Sequence, residues 1–271
     1  MFKRFSILPI VILLSVLLFN ACSDDPASSV NQEPPALPPI SSLEIEFSTL
    51  LGAEEPQKAT TQAIDYYIQA VYRAGSLEGI VESNLAKPRA LLSAAEDTVA
   101  ELNDDQQWEW SYQTSADSIQ YQARLIGQRI TANTVSWSLF VSSESSTLND
   151  KLFLSGTVRQ DGKRGNWTIN SLSSTESNNT PLAELSWEFD EQEANQIRLD
   201  IISGNGTPGS YIQYTTEAPL KTVEYLNAGT ADTTITQWNV DTRAGYLITP
   251  DVNEGNKACW DETLENVSCS E

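Results

Sequence analysis

The chain of 271 residues contains no histidine, only three cysteines and one methionine, and 16 lysines and arginines against 37 aspartates and glutamates. Without histidine there can be no Ser-His-Asp triad, no Cys-His pair, no histidine-ligated metal and no imidazole proton shuttle. The shortage of cations leaves a net charge of −21. Such a surface repels phosphate backbones, which excludes nucleic acid as a partner, and it repels anionic lipid head groups. Long apolar runs are also scarce. The stretch from Phe5 to Phe19 is broken only by Ser6, Pro9 and Ser15, and it falls short of the roughly 20 residues that span a bilayer.

That stretch has the length of a secretory signal core and follows the basic pair Lys3 and Arg4. It leads to Leu18-Phe19-Asn20-Ala21-Cys22, which resembles the bacterial lipobox, in which a small residue precedes a cysteine that becomes the lipidated N-terminus. Ala21 and Cys22 match the pattern, whereas Phe19 and Asn20 depart from it. The resemblance implies a signal peptide over 1–21 and an acylated Cys22. It also implies a cell-envelope location, with the membrane reached through acyl chains. Ser23-Asp24-Asp25 resembles an outer-membrane sorting signal and the surface-export tag of Bacteroidota lipoproteins. An ordinary cleaved signal followed by a free cysteine is the alternative.

Cys259 and Cys269 remain, ten positions apart. An exported chain meets an oxidising compartment, where they can pair. Their spacing is not CxxC and no histidine completes a zinc site, so a disulfide is expected and no metal or cofactor is.

Residues 22–42 carry Pro26, Pro34, Pro35, Pro38 and Pro39 among Ser, Asn and Gln, which predicts an extended, disordered tether. Leu43, Ile45 and Phe47 alternate with polar residues and suit either a strand or a lead into helix. From Gln57 the apolar spacing turns to three and four, as in Ala63, Ile64, Tyr67, Ile68, Val71 and Tyr72. Gly75 and Pro88 are expected to break this pattern, with a further helix over Arg89–Leu102. Two or three helices are therefore predicted in a segment spanning 43–105 that packs on a sheet.

From residue 106 to 271 the period is two. Examples are Trp108, Trp110 and Tyr112, then Val135, Trp137, Leu139 and Val141, then Leu185, Trp187 and Phe189. Asp161-Gly162 marks a hairpin. About ten short strands of about six residues are expected, joined by polar turns. Short connections make neighbours antiparallel, so the fold class is α+β: a β-meander forming a curved sheet or partly closed barrel. A membrane barrel is disfavoured, since its strands need about 9–11 residues.

Four sets of residues could carry chemistry. Gly204, Gly206 and Gly209 match GxGxxG, but the strand-like Tyr211 to Tyr214 follows where a nucleotide site needs a helix. Asp251, Asn253 and Glu254 resemble a calcium loop, with Asn256 standing where glycine belongs and Glu262 in the last ligand place. Glu188 and Asp190 could form a glycosidase pair, but among 37 carboxylates such a pairing is expected by chance, and a solvated strand end is the favoured reading. The seven tryptophans could line a ligand face or fill a core; Trp108, Trp110, Tyr112, Trp137 and Trp187 are the candidate ligand-facing aromatics.

An export signal, a tether, helices and a long meander together resemble the lipoprotein carriers LolA and LolB, in which a curved sheet holds helices in its mouth. The resemblance covers the order of elements alone and implies an apolar cavity. The C-terminal Cys259-Trp260-Asp261 to Cys269 is similar to the tails of Bacteroidota envelope lipoproteins. The expectation is a non-enzymatic, membrane-anchored envelope lipoprotein that binds an apolar or glycan ligand. The alternatives are a structural or adhesive surface module, and a carbohydrate-active enzyme using two carboxylates.

Overall fold

The computed structural model describes residues 33–52, 65–144, 148–173, 179–190 and 195–269. Its compact body runs from Pro34 to Glu271. The predicted signal peptide, Cys22 and the first part of the expected tether lie outside the described residues.

The body is an antiparallel meander of fourteen strands in strict sequence order, with few helices. The strands are β1 (Glu101–Leu102), β2 (Trp108–Ala116), β3 (Ile119–Thr131), β4 (Thr134–Ser143), β5 (Leu148–Arg159), β6 (Arg164–Asn170) and β7 (Pro181–Glu188). They continue as β8 (Asn195–Ile201), β9 (Tyr211–Glu217), β10 (Leu220–Asn227), β11 (Asp232–Asn239), β12 (Gly245–Ile248), β13 (Ala258–Trp260) and β14 (Asn266–Val267). Among the described residues β1 and β14 do not pair, so the sheet is unclosed.

The α+β class and the meander are as expected, and two details are corrected. Fourteen strands replace about ten, chiefly because β1, β13 and β14 are too short to alternate visibly. Strand length is also underestimated: β2 to β5 run to 9, 13, 10 and 12 residues. These lengths reach the membrane-spanning range, but the outward residues of β2 and β4 are mostly polar, Phe140 aside. Ser111, Gln113 and Ser115 of β2 and Ser136, Ser138 and Ser142 of β4 point outward, while Val135, Trp137, Leu139 and Val141 are buried.

One long helix replaces the expected two or three. Helix α1 is a single turn, Ser48–Leu51, and α2 runs unbroken from Tyr66 to Ser93. Asp65 caps α2, its carboxylate accepting from the Ile68 N–H at 3.0 Å. Gly75 and Gly79 lie on the exposed face and do not end the helix. Pro88 lies within it, buried. The buried stripe of Ala70, Ala74, Leu77, Val81, Leu85, Pro88 and Leu92 recurs every three or four residues, and its packing outweighs one lost backbone bond. The further helix expected over Arg89–Leu102 is not a separate element: α2 itself covers Arg89–Ser93, and after Ser93 the chain turns and enters β1. Among the described residues no helix is long and apolar enough to cross a membrane.

Helix α2 spans the opening of the sheet. Near its start Tyr67 packs on Trp260 of β13, with ring centroids 5.9 Å apart. Near its end the Leu91 carbonyl accepts from the Tyr112 hydroxyl of β2 at 2.7 Å. Those two helical positions are about 36 Å apart along the axis. Eleven strand spacings laid flat cover about 53 Å, so the sheet must curl for one helix to touch both ends.

The expected tether is corrected in its second half. Pro35, Pro38 and Ser42 are buried, and a short 3₁₀ turn covers Ile40–Leu43. Leu43, Ile45, Phe47 and Leu50 are each under 7 % exposed. Residues 34–51 therefore form a strap that joins no strand and packs inside the curl. Lys221 of β10 pairs with Glu46 at 3.1 Å, and the Trp238 indole of β11 donates to the Thr49 hydroxyl at 2.9 Å.

The tryptophans have a rule of their own. Every one except Trp110 lies directly across from a glycine. Trp108 and Trp137 face Gly127, Trp137 and Trp167 face Gly156, Trp187 faces Gly165, and Trp238 and Trp260 face Gly245. An indole is too wide to share one face of a curled sheet with another large cross-strand partner. Glycine leaves the space, and the ring covers the glycine's bare backbone.

Candidate functional site

The expected disulfide pair is together: Cys259 and Cys269 are bonded, with Cα atoms 5.3 Å apart, inside the usual range. The bond ties the C-terminal tail to β13.

Three of the five candidate aromatics sit in the core. Trp110, Trp137 and Trp187 are each 3 % exposed or less. Trp110 packs on Trp137 at 5.4 Å, and Trp167 stacks on Trp187 at 6.1 Å. Trp187 donates to the Gly162 carbonyl at 2.9 Å. Trp108 and Tyr112 are half-buried, and burial pushes the Tyr112 phenol well above its ordinary pKa. These rings do not converge on one cavity.

The other motifs are occupied by structural work. Both oxygens of Asp251 are engaged, by Arg73 of α2 at 2.6 Å and by the Thr249 hydroxyl at 3.0 Å. Among the described residues no three acidic or cysteine groups gather as metal ligands. Glu188 is held in an ion pair by Arg164 on the neighbouring strand. The glycine motif forms the β8–β9 turn. Three successive amides there, Ile202, Ser203 and Gly204, donate to the Leu182 carbonyl at 2.9–3.0 Å.

That turn borders the most site-like concavity, a cleft of about 460 Å³ at the mouth of the curl. One wall is the C-terminal half of α2, from Glu82 to Pro88. The other is the β8–β9 turn, and Asp117 of the β2–β3 turn stands at the lip. The floor is apolar: Phe153 and Ile169 are 3 % and 2 % exposed, with the half-buried Leu172 and Leu182 beside them. The lip is polar. Lys87 pairs with Asp117 at 3.0 Å, and Glu82 pairs with Arg89 at 2.8 Å. Asn84 bridges the walls, its amide nitrogen donating to the Asn205 carbonyl at 2.8 Å. An apolar floor with a few fixed polar groups, at this size, is the usual make-up of a small-molecule site.

Of the residues lining the cleft, the sequence singled out only Pro88 and the glycine-rich turn, and neither for this site. Asn84 and Asn205 are 121 positions apart, and no spacing rule joins them. The glycine-rich turn carried a signal, and it pointed to nucleotide chemistry.

Among the described residues, buried side chains of the strap and of α2, such as Leu43, Phe47, Val81 and Leu85, take up space inside the curl. Compared with known proteins, the chain matches no family model, no curated protein and no solved structure.

Proposed function

We propose that the chain is an envelope lipoprotein, acylated at Cys22 and held at the outer membrane, whose curled sheet binds a small, apolar-bodied ligand in the mouth cleft without catalysing a reaction. The single observation that carries the binding half is the cleft itself: buried Phe153 and Ile169 beneath a lip of paired charges, at a volume of about 460 Å³. The anchor half rests on the resemblance of Ala21-Cys22 to the lipobox. The buried side chains inside the curl argue that the ligand is compact and sits at the mouth. This sets the reading apart from a carrier that swallows whole acyl chains.

A dye that brightens in apolar surroundings tests the site. The intact protein binds it, and Ala86→Trp, placed on the α2 wall, removes most of that binding without changing the thermal midpoint. Equal binding by the variant would move the site elsewhere. Mass analysis of protein from the native membrane tests the anchor, and a chain with an unmodified Cys22 would refute it.

A second reading has its own support. A structural or adhesive surface module needs a rigid, packed body, and the buried strap and the tryptophan–glycine pairs supply one. Absence of dye binding would favour it.

A further inference from the structure

Asn84 is 8 % exposed and lies on the wall of the mouth cleft. Its amide nitrogen donates twice, to the Ile80 carbonyl and to the Asn205 carbonyl, each at 2.8 Å. Both N–H protons are used, so the orientation of the amide is fixed. The oxygen is turned to the opposite side, beside Gly204, where a Cβ would stand 2.5 Å from it. No described residue donates to that oxygen. An amide oxygen on the cleft wall that no described residue satisfies is an acceptor open to a ligand's donor. The two cations at the cleft are each ion-paired, Lys87 with Asp117 and Arg89 with Glu82. The surrounding acidic surface also disfavours an anionic ligand.

We propose that Asn84 Oδ1 is the specificity-determining acceptor of the mouth cleft, selecting an uncharged ligand with an apolar body and a hydroxyl donor. This rests on the binding reading above. Gly204 belongs to the same device, since only a residue without a side chain lets the β8–β9 turn come so close to that oxygen. A site that hydrogen-bonds a hydroxyl discriminates against the analogue lacking it, because an acceptor covered by that analogue is left unpaired.

The experiment uses the full chain and a neutral, environment-sensitive naphthylamine dye. Octanol, its isomer heptyl methyl ether, and octanoate are titrated as competitors. The alcohol and the ether have the same atoms and differ in the donor. Octanol should displace the dye at a concentration at least about tenfold lower than the ether, with octanoate weaker than octanol. In Gly204→Ala, checked for an unchanged far-ultraviolet spectrum, the preference for alcohol over ether should shrink to under about threefold, because the added methyl displaces the acceptor. Equal displacement by alcohol and ether in the natural protein would overturn the role of Asn84 and leave the cleft as a binding site. A best fit for octanoate would overturn it too. Failure of the dye to bind would remove the cleft reading itself, and this inference with it.

Discussion

Trp187 lies across Gly165 so closely that a Cβ built on the glycine would stand 2.4 Å from two carbons of the indole ring. The same Cβ would meet the Thr157 carbonyl at 2.8 Å. The ring could give way, but the backbone oxygen could not. Gly165→Ala should therefore destabilise the protein by about 1–3 kcal/mol, the cost of overpacking a tight core. Denaturant unfolding measures it. Trp187→Phe in the same chain should recover part of the loss, because a smaller ring clears the methyl. A neutral Gly165→Ala would mean that the pairing rule of the tryptophans is ornamental.

The disulfide closes a loop of ten positions, from Cys259 to Cys269. On the loop-entropy estimate it contributes about 2–3 kcal/mol. It also holds β14, whose Asn266 side chain accepts from the Tyr66 N–H at the first turn of α2 at 2.9 Å. Replacing both cysteines by serine should lower the thermal midpoint, and amide exchange should rise first at residues 66–69 and 258–267. Faster exchange spread evenly over the sheet would contradict a local role for this bond.

Some of this was legible in the sequence, and the reasons are physical. Alternation at period two survives in any strand with one wet face, so the long strands declared themselves. Strand β14 has two residues, both exposed, and owes its pairing to a covalent bond, so no pattern could announce it. The strap shows alternation at Leu43, Ile45 and Phe47, yet alternation reports a buried face and not a hydrogen-bonded neighbour. Pro88 and Gly75 looked like breaks because propensity is local, whereas the buried stripe of α2 is set by the sheet it crosses. The disulfide was readable by elimination. The mouth cleft was not, because its polar groups come from α2 and from distant turns that only the curl brings together.

The absence of histidine makes a sharp prediction about pH. No side chain titrates ordinarily between about pH 6 and 8, so thermal stability should be flat there. Below that range the strap loosens. The Ser48 hydroxyl, then the Lys221 ammonium, hold the Glu46 carboxyl below its ordinary 4.5. A carboxyl depressed in the folded state adds stability above its unfolded pKa and loses it as pH falls through the folded one. Asp251 moves the same way: burial works against it, but Arg73 and Thr249 outweigh that and keep it below 3.8. Stability should therefore fall as pH drops below about 4.5. Glu46→Gln should flatten part of that fall, and an acid limb unchanged in this variant would assign it to other carboxylates.

The strap fixes where the folded body must begin. Pro35 and Pro38 are buried, and Pro39 packs against Gly162 at the β5–β6 turn, where an added Cβ would be 3.4 Å from its ring. Further along, Leu43 and Phe47 are 0 % and 1 % exposed. A chain starting at Pro34 should keep a cooperative unfolding transition close to that of the longer protein. A chain starting at Ser48 should lose it, because the curl would then surround an empty channel that water enters. The single change Phe47→Ala should cost about 3–5 kcal/mol, the range for emptying a phenylalanine site in a packed core. If the chain starting at Ser48 unfolded with the same midpoint, the strap would be a passenger on the sheet. The sheet and α2 alone would then be the core.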